Sequence, residues 1–231
     1  MSDYMPIGTM EQVDDLPFYV VGSEDAKISI ILIYDVFGLH DNTKQFCDLL
    51  AKYGGYRVVM PDFFRGEPLT EEKMAGGKEA IVAWISRVGS FDVIFPDVQK
   101  IQKWLQAQDI SQAGLVGFCW GAKIAVQTAG IVDRFFGATA MIHPSQVEIQ
   151  DAENAQAPIL AIPTKDDVDM TEYMRVLSRK PFGSNCEHYR FDDVHHGFAA
   201  ARGDWNDEII KKRATEAVQL TVRFFKKNLT I

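Results

Sequence analysis

One cysteine in this sequence sits in a setting suited to reactivity. Gly117-Phe118-Cys119-Trp120-Gly121 holds a thiol between two glycines, after an apolar run at 113–118 and before a small-residue stretch at 119–130. The run reads as a strand and the stretch as a helix. A strand that turns sharply into a helix strains the backbone at its corner, and small residues are needed on both sides for the two elements to approach. A sulfur at that corner meets the positive end of a helix dipole and free N–H groups, which favour the thiolate. The backbone N–H of Trp120 would then be one donor to a developing oxyanion. The competing reading is a buried, inert cysteine at a tight turn, since free cysteine is among the most buried residue types.

A thiol nucleophile needs a base, and the histidines are His40, His143, His188, His195 and His196. Where this corner occurs on an alternating α/β chain, the order is nucleophile, acid, histidine, with the histidine in a loop between the last strand and the last helix. That order excludes His40 and favours the His195-His196 pair. His196 precedes Gly197, whose missing side chain leaves room beside an imidazole, so His196 is preferred. His188 falls within a strand. The acid should follow the strand at 158–162, where the chain reads Pro163-Thr164-Lys165-Asp166-Asp167-Val168-Asp169, and Asp166 is the choice. It would accept the Nδ1 proton of His196 and stabilise the imidazolium. Aspartates also suit turns and helix caps. A metal site here is disfavoured, because no glycine and distal glutamate complete a calcium loop.

The elements that must carry these groups follow from hydrophobic period. Residues 27–34 are nearly continuous in aliphatic side chains, as in a strand buried on both faces. Asp41 or Asn42 can cap a helix ending at Gly54-Gly55, and 56–60 is the next strand. Helical patterns at 93–108, 172–178 and 206–228 alternate with strands at 113–118, 136–142, 158–162 and 187–191. Such alternation implies a mostly parallel sheet covered by helices on both faces. Residues 63–90 break the rhythm and read as an insertion over the sheet edge, with Ile81, Trp84 and Ile85 on an amphipathic stretch.

The whole chain narrows the function classes. Its 231 residues, 47% hydrophobic and 24% charged, fit one globular domain spanning 1–231, with no repeat or linker. A net charge of -8 argues against a phosphate-tracking surface, so nucleic acid is not an expected partner. No apolar run approaches membrane-spanning length, and residues 1–15 lack the pattern of a secretory signal. Three separated cysteines, Cys47, Cys119 and Cys186, suit a reduced, cytoplasmic protein better than a disulfide framework.

Together the elbow at 117–121, the early Asp35-Val36-Phe37-Gly38, the segment Pro61-Asp62-Phe63-Phe64 and the closing His196-Gly197-Phe198 resemble the dienelactone hydrolase family, in the expected order from about Ile28 to Phe225. The resemblance implies a single-domain α/β-hydrolase fold with no large cap, no metal and no organic cofactor. It places the nucleophile on Cys119, the acid on Asp166 and the base on His196. It adds Val36 N–H as the second oxyanion donor, and Asp35 as an acid that modulates the thiol, one methylene shorter than the glutamate of the best-known bacterial members. Arginines bind the substrate carboxylate in members that act on dienelactone, which suggests Arg202, Arg65 or Arg87. Trp84, Trp120 and His143 could line a pocket.

The expected reaction is cleavage of an ester or lactone through an acyl-enzyme, with a small-molecule substrate and a monomer or homodimer as the working form. The alternatives are a thioesterase, or a non-catalytic binding or thiol-sensing protein on the same fold.

Overall fold

In the computed structural model, which describes residues 4–131 and 133–229, eight strands form one sheet in the order β1-β2-β4-β3-β5-β6-β7-β8. The remaining positions of the expected 1–231 domain lie outside the described residues. The strands are β1 (Thr9–Val13), β2 (Leu16–Val21), β3 (Ile28–Ile33), β4 (Arg57–Pro61), β5 (Gln112–Phe118), β6 (Phe136–Ile142), β7 (Ile159–Ile162) and β8 (Glu187–His188). From β4 to β8 the neighbours are parallel, whereas β1 and β2 form a hairpin that joins β4 antiparallel.

The helices are α1 (Asp41–Gly54), α2 (Glu71–Met74), α3 (Gly77–Val88), α4 (Phe91–Gln106), α5 (Trp120–Ala129), α6 (Ile149–Asn154), α7 (Thr171–Leu177) and α8 (Glu208–Asn228). α1 packs on α8 and α4 on α5, so the sheet lies between helices. The near-continuous apolar runs of β3 and β5 are buried, as strands covered on both faces require.

Three expectations change. The hairpin precedes the first expected strand. His40, and not Asp41 or Asn42, caps α1: its Nδ1 accepts the Asn42 N–H, and Thr43 Oγ1 accepts the His40 N–H in return. The insertion lies against the elbow helix and not over a sheet edge, for Trp84 packs on Phe64, Phe64 packs on Trp120, and Trp120 Nε1 donates to Gly89 O at 2.8 Å.

Register decides what meets at the sheet's C-terminal edge. Ile33 pairs with Gly117, Phe118 with Ile142, and Ile142 with Ile162. Within a few residues beyond these strands therefore lie Asp35 and Val36, Cys119, His143, and Thr164 to Asp167. An open α/β sheet offers its ligand site at this edge.

Candidate active site

Cys119 sits between β5 and α5 with φ 52° and ψ -115°, a conformation that costs about 1–3 kcal/mol for a non-glycine residue. The flanking glycines explain how it persists. A Cβ on Gly117 would stand 2.3 Å from Gly121 O, and one on Gly121 would stand 2.3 Å from Ile33 O and 2.4 Å from Tyr34 O. Any side chain at either place would push the helix off the sheet. Trp120 is the first residue of α5, so its N–H has no partner within the helix. Among the described residues, neither that N–H nor the Val36 N–H donates a hydrogen bond, which leaves both available to an oxyanion.

The His196 ring is pinned at one atom: its Nδ1 lies 2.5 Å from Asp167 Oδ1, and the Cys119 side chain is its other close polar neighbour. Burial opposes the charged ring, but Asp167 and Cys119 prevail and raise His196 from 6.5 to about 10. An imidazole so placed can hold a proton beside sulfur and give it up to a leaving group.

The carboxylate facing the ring belongs to Asp167, which corrects the choice of Asp166. The Asp167 side chain is 1% exposed, and its other oxygen accepts the Thr164 N–H at 2.7 Å and the Thr164 hydroxyl at 2.9 Å. Burial pushes its carboxyl up, yet the His196 and Thr164 hydrogen bonds leave it below the usual 3.8. Asp166 is exposed and, among the described residues, its carboxylate accepts only the His196 backbone N–H, at 3.2 Å. Thr164, joined to Phe191 by an isolated bridge at the end of β7, sets the turn so that the second aspartate points inward. A hydroxyl three residues before an aspartate is the signal in the sequence that singles out Asp167.

Asp35 is 2% exposed, and both hydrogen bonds to its carboxylate come from backbone. Oδ1 accepts from Phe37 N at 2.9 Å and Oδ2 from Ala201 N at 3.3 Å. Desolvation raises it to about 6 against those two bonds and the nearby His196 and Arg202. Among the described residues it makes no hydrogen bond to the thiol. Its visible role is to tie the Val36 turn to the loop after His196.

The arginines separate. Arg65 binds Asp15 and Asp97, so it is a structural ion-pair residue and not part of the site. Arg87 is exposed in the last turn of α3. Arg202 lies at the site: a Cβ on Gly197 would come 3.1 Å from its side chain. It also lines a cleft of about 260 Å³ with His40 and Trp205. Trp84 and Trp120 are buried among aromatic rings, and His143 is fully buried against His196. Among the described residues no group of histidines, cysteines and carboxylates could hold a metal ion, and no helix is long and apolar enough to cross a membrane.

Comparison with known proteins shows the family and the fold. The model of the dienelactone hydrolase family matches residues 16–229. An uncharacterized AIM2 family protein of Schizosaccharomyces pombe is 31% identical over 94% of this chain and 89% of its own. A human carboxymethylenebutenolidase homolog is 30% identical over 72% of this chain and 67% of its own. Among solved structures, a putative dienelactone hydrolase from Klebsiella pneumoniae superposes with a TM-score of 0.70 at 19% identity, over 92% of this chain and 93% of that one, a likeness of fold. The chain belongs to the dienelactone hydrolase family, a family of hydrolases with the α/β-hydrolase fold.

Proposed function

We propose that the protein hydrolyses an activated ester or lactone through an acyl-enzyme on Cys119, with His196 as acid and base and Asp167 as its orienting carboxylate. The observation that carries this reading is the chain of hydrogen bonds from Thr164 through Asp167 to His196, whose ring neighbours a thiol held at a strained corner.

Cys119 Sγ attacks the carbonyl carbon, and the carbonyl π bond becomes an oxyanion held by the N–H groups of Val36 and Trp120. As the tetrahedral intermediate collapses, the carbon–oxygen bond breaks and the His196 imidazolium protonates the departing oxygen. The neutral ring then takes a proton from water, whose oxygen attacks the thioester. The carbon–sulfur bond breaks, the carboxylic acid leaves, and the sulfur is regenerated beside the protonated His196. With a lactone, the departing oxygen stays tethered to the acyl group. Thiolates expel simple alkoxides poorly, so enol-lactones and aryl esters suit this site better than alkyl esters or amides. The scheme uses only groups of this chain, and the substrate is a small molecule.

The test is hydrolysis of an enol-lactone, a p-nitrophenyl ester and an acyl thioester by wild type, Cys119→Ala and His196→Ala. Turnover lost in both variants supports the reading, and preference for the thioester would redirect it to a thioesterase. Wild-type inactivity, or activity that survives Cys119→Ala, overturns it in favour of binding or thiol sensing.

A further inference from the structure

His143 follows β6 immediately and lies wholly inside the protein, at 0% exposure. Its ring packs edge-to-face against His196, with centroids 5.0 Å apart and planes at 68°. Phe118 and Phe198 enclose it at 5.4 and 5.8 Å. Neither ring nitrogen has a hydrogen-bond partner among the described residues. Its backbone takes φ 39°, unusual for a side chain with a Cβ, and its N–H is fixed to Ile162 O at 2.9 Å. A buried polar ring with no partner, on a strained backbone and against the candidate base, is expensive to keep.

The charged and titratable groups that face the pair are Asp167, Cys119, His195 and Asp35. Burial, and next the charge on His196, push the His143 ring down to about 3. It therefore stays neutral whenever His196 carries a proton, and does not compete for it.

We propose that His143 is a positioning residue for His196: its uncharged ring, wedged among Phe118, Phe198 and the imidazole, fixes the tilt at which His196 joins Asp167 to Cys119. The thiol end of that contact is set by orientation alone. Asp167 pins only Nδ1, and a ring held at one atom pivots about it. The face of His143 is the wall that stops the pivot. Because neither nitrogen of His143 is used, the ring and not its polarity performs this task. A phenyl ring should replace it, and a small side chain should not.

The inference rests on the triad reading, so its test must separate the two. Alkylation of Cys119 by iodoacetamide, compared with that in His196→Ala, reads the His196–thiol contact directly, without any substrate. It is paired with steady-state hydrolysis of a p-nitrophenyl ester and with thermal unfolding.

In wild type, alkylation is faster than in His196→Ala, which lacks the imidazole that takes the thiol proton. His143→Ala loses that advantage, and its kcat falls about 10- to 100-fold while KM stays within about threefold. His143→Phe recovers at least about half of both rates and unfolds at an equal or higher temperature, because it removes an unpaired polar group. Should His143→Ala not fold, His143→Leu tests the same point by keeping bulk without a flat ring. A wild type alkylated no faster than His196→Ala removes the triad reading, and the inference with it. A wild type faster than His196→Ala but matched by His143→Ala overturns the inference alone. So does a His143→Phe variant as impaired as His143→Ala.

Discussion

Replacing Asp167 by Asn leaves the shape of the turn and removes the charge behind His196. The carboxylate is 1% exposed and 2.5 Å from Nδ1, and a hydrogen bond to a charged group is worth about 1.5–3 kcal/mol even before tautomer is considered. An amide can also present N–H to the ring, which turns Nδ1 into an acceptor and places the proton on the nitrogen facing sulfur. That leaves no acceptor for the thiol proton. Together these effects amount to about 3–5 kcal/mol of lost transition-state stabilisation, or about 10²- to 10⁴-fold in kcat/KM. Asp166→Asn provides the internal control. Its oxygen accepts one backbone N–H at 3.2 Å on an exposed surface, an amide oxygen can do the same, and the expected loss is under about threefold.

The stability of the pair follows pH with a definite sign. His196 is raised from 6.5 to about 10, so its contribution is full below 6.5 and fades as pH climbs through about 10. Asp167 is held below 3.8, so its contribution is present above 3.8 and lost as pH falls further. Denaturant unfolding across this range should show both limbs in wild type, while Asp167→Asn should lose the acid limb and keep only the part of the alkaline limb that Cys119 supplies. Ester hydrolysis by the two aspartate variants decides the assignment. Full activity in Asp167→Asn with loss in Asp166→Asn refutes the reasoning.

Three more outcomes follow from the same contacts. Thr164→Val removes the 2.9 Å hydroxyl bond to Asp167 but leaves the backbone N–H, so kcat/KM should fall about 3- to 30-fold, and a larger loss than in Asp167→Asn would contradict the geometry. Asp35 has its carboxyl raised from 3.8 to about 6, so ionising it inside the protein costs stability as pH rises through that window. Denaturant titrations should find Asp35→Asn gaining about 3 kcal/mol on wild type between the acid and neutral ends of that window, and parallel curves would show that burial does not govern this group. Gly121→Ala forces a methyl to within 2.3 Å of Ile33 O and should destabilise the protein by about 1–3 kcal/mol in thermal unfolding, with activity lost alongside.

Much of this architecture is legible in the sequence because buried parallel strands are nearly continuous in apolar residues. The strand at 136–142 has the same bounds in sequence and structure, and that at 113–118 differs by one residue. The hairpin is not legible for the opposite reason. β1 is almost wholly exposed and carries no apolar pattern, and Pro17 inside β2 argues against a strand that pairs on both sides. Cys119 and His196 can be read because the glycines around them have a steric purpose. The acid is misread by one residue because two adjacent aspartates differ only in the phase of a turn, and Thr164 decides that phase through space. The roles of Arg65 and His143 depend on what surrounds them, which no local pattern records.

Asp35 joins two stretches of chain 166 residues apart, the turn that carries the Val36 N–H and the loop that follows His196. Those loops are therefore inherited as one piece. A relative, natural or engineered, that acquires a new loop on either side must keep the partner N–H in reach or bury a carboxylate with nothing to bind. Substrate range on this scaffold is free to change most readily through the insertion at 63–90, while the staple beneath restricts both loops to exchange in concert.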